Sequence, residues 1–158
     1  FITWSRLDRE KRIDMIVKAF QGLDEQLVVA GDGEQRSKLE QLAAGHDNIE
    51  IRGFVDDIES LVARARAVVY APMQEDFGLV GAEALTAGKP LLGVNEGFTR
   101  HQVEEGITGE IFDPTVQSIR STIRSFKSER YNTKTIQKHA KKYEQKTFES
   151  RLQSIIFD

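Results

Sequence analysis

Short apolar runs and amphipathic stretches take turns along this chain. Runs rich in β-branched and aromatic residues predict strands over residues 1–5, 26–30, 49–53, 67–71 and 90–94, with a short one at 110–112. Helices fill the gaps. Ile13, Ile16, Val17 and Phe20 fall at helical spacing, as do Leu39, Leu42 and Ala43, so each segment has one face to lay on a sheet. Gly22, Gly45 and Gly88 follow such stretches as helix stops. Regular β-α alternation of this kind predicts an α/β fold: a Rossmann-like three-layer α/β/α domain around a six-stranded parallel sheet.

Beyond Pro114, Ile119, Ile123 and Phe126 repeat at helical spacing, and Ile136, Ala140 and Tyr143 begin a further helix. The division this suggests is a Rossmann-like domain over residues 1–130 and a helical segment over 131–158. The segment ends in Phe148, Leu152, Ile155, Ile156 and Phe157, an apolar set that needs cover. It is expected to be helical and to pack on this domain's own sheet, the alternative being a neighbouring domain.

Composition narrows the class without naming it. At 158 residues one core is expected, and 39% hydrophobic with 30% charged residues is ordinary for a globular protein. No apolar run approaches the length of a membrane span. Cysteine is absent, which excludes disulfide scaffolds and thiolate metal sites and fits a cytoplasmic setting. The chain opens inside an apolar strand without a methionine, as a piece of a longer protein would. The net charge of -3 conceals an asymmetry, because residues 120–158 carry 10 basic and 4 acidic groups. A basic helical end of this size reads as a solvated face, so no nucleic-acid partner is inferred.

Ligands of open α/β sheets bind beyond the carboxyl ends of the strands, so the loops after each strand hold the candidate chemistry. After the first come Arg6 and Lys11, suited to diphosphate oxygens though flanked by other surface charge at Arg9 and Arg12. After the second comes Gly31-Asp32-Gly33, a tight turn lacking the spacing of a dinucleotide fingerprint. After the third comes Gly53-Phe54-Val55-Asp56-Asp57, and after the fourth Glu75-Asp76-Phe77-Gly78-Leu79-Val80-Gly81-Ala82-Glu83.

The last segment is the most informative. A helix beginning near Gly78 would leave the amides of Gly78, Leu79 and Val80 unpaired and aimed at the loop, an anion site by geometry and dipole. Glu83, farther along the same helix, suits vicinal hydroxyls such as a ribose diol, and Glu75 could hold sugar hydroxyls. Two carboxylates flanking an anion site make more sense for a sugar phosphate than for phosphate alone. His46, His101 and His139 show no metal-ligand spacing, and no nucleophilic triad can be argued, so neither a metal nor a cofactor is expected.

In order, these segments resemble the C-terminal, donor-binding domain of GT-B fold, retaining, family-4-type glycosyltransferases, the glycosyl transferases group 1. The resemblance spans nearly the whole chain. It rests on Ser5-Arg6-Leu7 with Lys11, on Gly31-Asp32-Gly33, on Gly53-Phe54-Val55, and above all on Glu75 through Glu83 followed by Gly88-Lys89-Pro90. It implies that Arg6, Lys11 and the backbone at Gly78, Leu79 and Val80 bind the donor diphosphate. Glu75 would serve as the catalytic-site carboxylate on the transferred sugar, Glu83 would hold the ribose, and Phe54 and Val55 would line the nucleobase pocket.

The implied substrate is a nucleotide sugar, UDP- or GDP-linked, used without a metal. The implied partner is an N-terminal acceptor-binding domain of the same enzyme, through which alone the protein would contact the cytoplasmic membrane face. This stretch alone would bind nucleotide without catalysing transfer. The chain departs from the family pattern where Ser5 and Arg12 stand in place of common glycines. It also reads Gly97-Phe98-Thr99-Arg100-His101 for a Gly-Gly-x-Pro-Glu type segment, with His101 in place of the glutamate. A sugar-nucleotide epimerase-like domain and a non-catalytic nucleotide-binding or interaction module are the alternatives.

Overall fold

The computed structural model describes residues 1–143. Among them, six strands form one sheet: β1 (Ile2–Trp4), β2 (Leu27–Ala30), β3 (Ile49–Gly53), β4 (Val68–Tyr70), β5 (Leu91–Val94) and β6 (Gly109–Phe112). The spatial order is β3-β2-β1-β4-β5-β6 and every pairing is parallel. Each lies within a residue or two of its predicted run, because strands covered on both faces read as nearly continuous apolar segments.

Alternation along the strands sends side chains to two cores. Phe1, Leu27, Val29, Val69 and Leu92 face one layer, built by α1 (Ile13–Phe20), α2 (Arg36–Ala43) and α6 (Val116–Ser125). Ile2, Val68, Tyr70 and Leu91 face the other, built by α3 (Ile58–Arg64), α4 (Leu79–Thr86) and α7 (Thr133–Ala140). A single-turn helix, α5 (Thr99–Gln102), follows β5.

The helices bury the faces that their periodicity predicts. Ile13, Ile16, Val17 and Phe20 of α1 are all buried, each side chain stabilising the fold by roughly 1.5–3 kcal/mol. Exposed carbonyls at the end of α1 are taken by Arg120 of α6, which donates to Ala19 at 3.0 Å, Lys18 at 2.7 Å and Gln21 at 3.1 Å. Helix starts are capped locally: Asp57 accepts from the Ser60 amide, Thr115 from Ser118 and Asn132 from Thr135.

Ile136 and Ala140 bury α7 against α4, so the chain through Ala140 is integral to the second core. Phe148, Leu152, Ile155, Ile156 and Phe157, which the sequence reading expects on a packed helix, lie outside the described residues.

This topology places the functional loops. From β1 the chain winds outward through β2 to β3, then returns to β4 on the other side of β1. Strand order therefore reverses between β1 and β4, and the loops leaving their carboxyl ends separate there, opening a crevice. The β1 loop carries Arg6 and Lys11; the β4 loop carries Glu75 and leads into α4.

Candidate functional site

A cavity of about 400 Å³ opens beside this switch point, lined by residues from the ends of β1, β2 and β3 and from α4. Trp4, Arg6, Phe54, Val55 and Glu83 contribute to its wall. Phe54 is 75% exposed, an unusual position for a large ring unless something else covers it. The cavity can approach the sheet because Gly31 closes the β2 turn: a Cβ there would fall 1.9 Å from the Ser5 carbonyl oxygen.

Glu83 faces this cavity from the second turn of α4. Its Oε2 accepts a hydrogen bond from the Trp4 indole at 3.1 Å, leaving its other oxygen available to a ligand. Trp4 ends β1, and its partner is 79 positions away. Arg6 is exposed at the cavity rim, with its guanidinium 3.3 Å from Asp8.

The second carboxylate sits in a tighter setting. Glu75 Oε2 accepts from the Lys11 ammonium at 2.7 Å and from the Tyr70 hydroxyl at 2.6 Å. The nearby Gly78 amide adds a smaller pull toward the ionised carboxylate. Burial pushes this carboxyl up, and Lys11, Tyr70 and Gly78 together outweigh burial and hold it below the ordinary glutamate range. Burial and the facing Glu75 charge push the Tyr70 phenol far above its usual range, so it stays a proton donor.

Lys11 itself is fixed in a 3₁₀ turn (Arg9–Lys11) that ends at Arg12, a residue with φ 50° and ψ 33°. The Arg12 side chain pairs with Glu96 at 2.7 Å, tying the β1 loop to the β5 loop.

Gly78 is the N-cap of α4 at φ 72°, a left-handed conformation that glycine adopts without strain. The helix begins where the sequence places it. Gly78, Leu79 and Val80 stand at the cap and in the first turn, where amides have no acceptor within the helix, and the Gly78 amide lies on the Glu75 side of the turn. Leu79 is exposed.

The structure thus brings the sequence candidates into two neighbouring groups. Arg6, Phe54, Val55 and Glu83 share the cavity; Lys11 and Glu75 share a hydrogen-bonded cluster with Tyr70, beside Gly78 at the start of α4. Sequence reasoning missed three contributors: Trp4, Tyr70 and Gln102. Trp4 and Tyr70 passed as strand hydrophobes, although a polar-tipped aromatic at the carboxyl end of a strand is the available signal. Gln102 donates to the carbonyls of Phe77 and Gly78, both at 2.9 Å. His101 lies on α5 with its ring 6.0 Å from Phe98, and Phe98 in turn stacks on Phe77. Among the described residues, no group of three or more histidine, aspartate or glutamate side chains is arranged to hold a metal.

Comparison with known proteins gives the arrangement a family context. Residues 1–147 match the family model described as glycosyl transferases group 1. The chain is 30% identical to an alpha-D-kanosaminyltransferase of Streptomyces kanamyceticus, over 69% of this chain and 31% of that protein. It is also 30% identical to a GDP-mannose-dependent alpha-(1-6)-phosphatidylinositol dimannoside mannosyltransferase of Mycobacterium tuberculosis, over 78% of this chain and 34% of that protein. The fold matches Anabaena Alr3699/HepE, solved in complex with UDP, with a TM-score of 0.83 and 22% identity over 99% of this chain and 48% of that one. The chain therefore spans about a third of these curated relatives and about half of this solved chain.

Proposed function

The chain belongs to the glycosyl transferases group 1 family, and from that membership we propose that it is the nucleotide-sugar-binding half of a GT-B glycosyltransferase that transfers a sugar with retention. The observation that carries this reading is the pair of carboxylates disposed around one helix start: Glu83 in the cavity with Trp4 and Phe54, and Glu75 clustered with Lys11 and Tyr70.

The roles follow from the chemistry of each group. The cavity suits a base against Phe54 and Val55 with its ribose hydroxyls on Glu83. The diphosphate then lies toward the start of α4, where the Leu79 and Val80 amides, the helix dipole, Arg6 and Lys11 supply positive potential. These same groups stabilise the diphosphate as it leaves, so the charge that develops in the transition state meets donors already in place. Glu75 receives the sugar's hydroxyls and offers negative charge to a cationic sugar. Lys11 bridges the two, shared between Glu75 and the phosphate oxygens. The relatives named for GDP-mannose use and the fold match bound to UDP support a nucleoside diphosphate donor.

Calorimetric titration of the chain with UDP, GDP and their common sugar conjugates tests the reading. Saturable binding of a nucleoside diphosphate is expected. No heat and no saturable shift with any of them would sink the donor-site assignment.

A further inference from the structure

Gln102 is a polar side chain buried to 0% exposure on a helix of only four residues. Its Nε2 donates to two successive carbonyls, Phe77 and Gly78, in the turn that carries the chain from Glu75 into α4. No peptide bond among the described residues is cis. In a planar trans peptide the carbonyl and the following N–H point in opposite directions. Holding the Phe77 carbonyl therefore directs the Gly78 N–H the other way, toward the neighbouring Glu75 side chain. The Gly78 carbonyl, which also accepts the first helical bond from the Ala82 amide at 3.2 Å, is held by Gln102 as well; the Leu79 N–H then points away from Gln102, and that amide has no acceptor within the helix.

We propose that Gln102 is a positioning residue of the donor site, which aims the Gly78 amide at Glu75 and the Leu79 amide at the diphosphate by gripping the carbonyls behind them. The inference rests on the donor-site reading for its ligand, but its geometry stands on the hydrogen bonds alone. A glutamine is required: a glutamate has no donor to offer, and an apolar residue leaves two carbonyls without this partner.

The grip is enforced from the far side. Gln102 Oε1 is buried with no hydrogen-bond partner among the described residues, and it lies against Gly81 of α4, where an added Cβ would fall 2.1 Å from it. Gly81 therefore leaves the room in which the amide sits, and any larger residue would drive Gln102 off its carbonyls. Phe98 completes the support, its amide donating to the Glu75 carbonyl at 2.7 Å and its ring stacking on Phe77 at 5.8 Å.

The test compares Gln102→Met and Gly81→Ala with wild type, titrating UDP and GDP against UMP and GMP. Both variants are expected to lose about tenfold in affinity for whichever diphosphate the wild type binds, with monophosphate affinity unchanged, as expected when one charge-assisted hydrogen bond is misaimed. Equal loss for mono- and diphosphate, or no loss for either, overturns the assignment, since a structural role would not separate them.

Hydrogen exchange on the nitrogen-15-labelled wild-type chain provides an arm that needs no variant to fold. The Gln102 side-chain protons and the Gly78 amide should exchange slowly, and rates typical of exposed amides overturn the grip. If wild type binds no nucleotide, the donor-site reading fails, and the exchange measurement still decides whether Gln102 holds the turn.

Discussion

Two donors converge on the Glu75 carboxylate, an ammonium and a phenol. Such a carboxylate is both oriented and held ionised, which suits a group that must meet sugar hydroxyls in one geometry. Its depressed pKa couples ionisation to folding. Stability from this cluster is fully present above the ordinary carboxyl range, near pH 4.3, and is lost as pH falls through the lower folded value. Urea midpoints measured between about pH 6 and about pH 3 should therefore fall less steeply in Tyr70→Phe and Lys11→Met than in wild type. An unchanged slope in both would mean that the cluster does not hold Glu75. The two carboxylates should also separate by ligand. Glu83→Ala should weaken nucleoside diphosphate binding by ~1–3 kcal/mol, whereas Glu75→Ala should spare the free nucleotide, leaving Lys11 to the phosphate, and weaken the nucleotide sugar. Titration with UDP and UDP-sugar, or the guanosine pair, distinguishes them; equal effects on both ligands contradict the division. Glu75 and Lys11 are legible in the sequence because loops after strands are few and charge in them is conspicuous, and Glu83 because it follows on the helix that the same loop feeds. Trp4 carries only the weak mark of a polar-tipped aromatic at a strand's end, since its partner lies 79 positions away.

At the scale of elements, the strands and long helices can be read from periodicity because each buries a continuous face. The one-turn α5 cannot, being too short to show a period, and Gln102 is hidden with it. Arg12 is a second case in which local sequence and structure disagree. It closes the 3₁₀ turn and precedes α1 in a left-handed conformation that costs a side-chain-bearing residue roughly 1–2 kcal/mol. The resemblance marks this position as one where glycine is common, and here the side chain makes an ion pair with Glu96 at 2.7 Å. Two substitutions isolate the terms, since both remove the guanidinium. Arg12→Gly relieves the backbone while Arg12→Ala keeps it strained, so the alanine variant should be less stable than the glycine variant by ~1 kcal/mol in urea denaturation. Equal stability would show that the turn relaxes to an ordinary conformation when the side chain is removed. Because this turn also carries Lys11, the alanine variant should loosen the Lys11–Glu75 contact as well.

For the whole molecule, the reversal of strand order between β1 and β4 explains why Arg6, Lys11, Glu75 and Glu83, from distant parts of the chain, meet at one crevice. It also explains what the crevice lacks. Its groups come from one set of strand ends, so a ligand held by Arg6, Lys11, Glu75 and Glu83 is gripped from one side and open to water on the other. Glycosyl transfer needs the acceptor hydroxyl brought against the sugar and water kept out, and both require a facing surface. The chain spans about half of the solved chain it matches at 48% coverage, which leaves room in such proteins for that surface. An apolar groove of about 550 Å³ beside α4 is lined by Trp4, Ile58, Phe77, Leu79 and Tyr143 and reaches Glu83. Nucleotide binding and turnover should therefore come apart in this chain. With the donor that calorimetry identifies, the 158-residue chain should give a saturable isotherm, yet release no nucleoside diphosphate faster in the presence of sugar or lipid acceptors than in their absence. Acceptor-dependent release by the chain alone would show that the donor half carries the chemistry as well, and would move the acceptor site onto the loops described here.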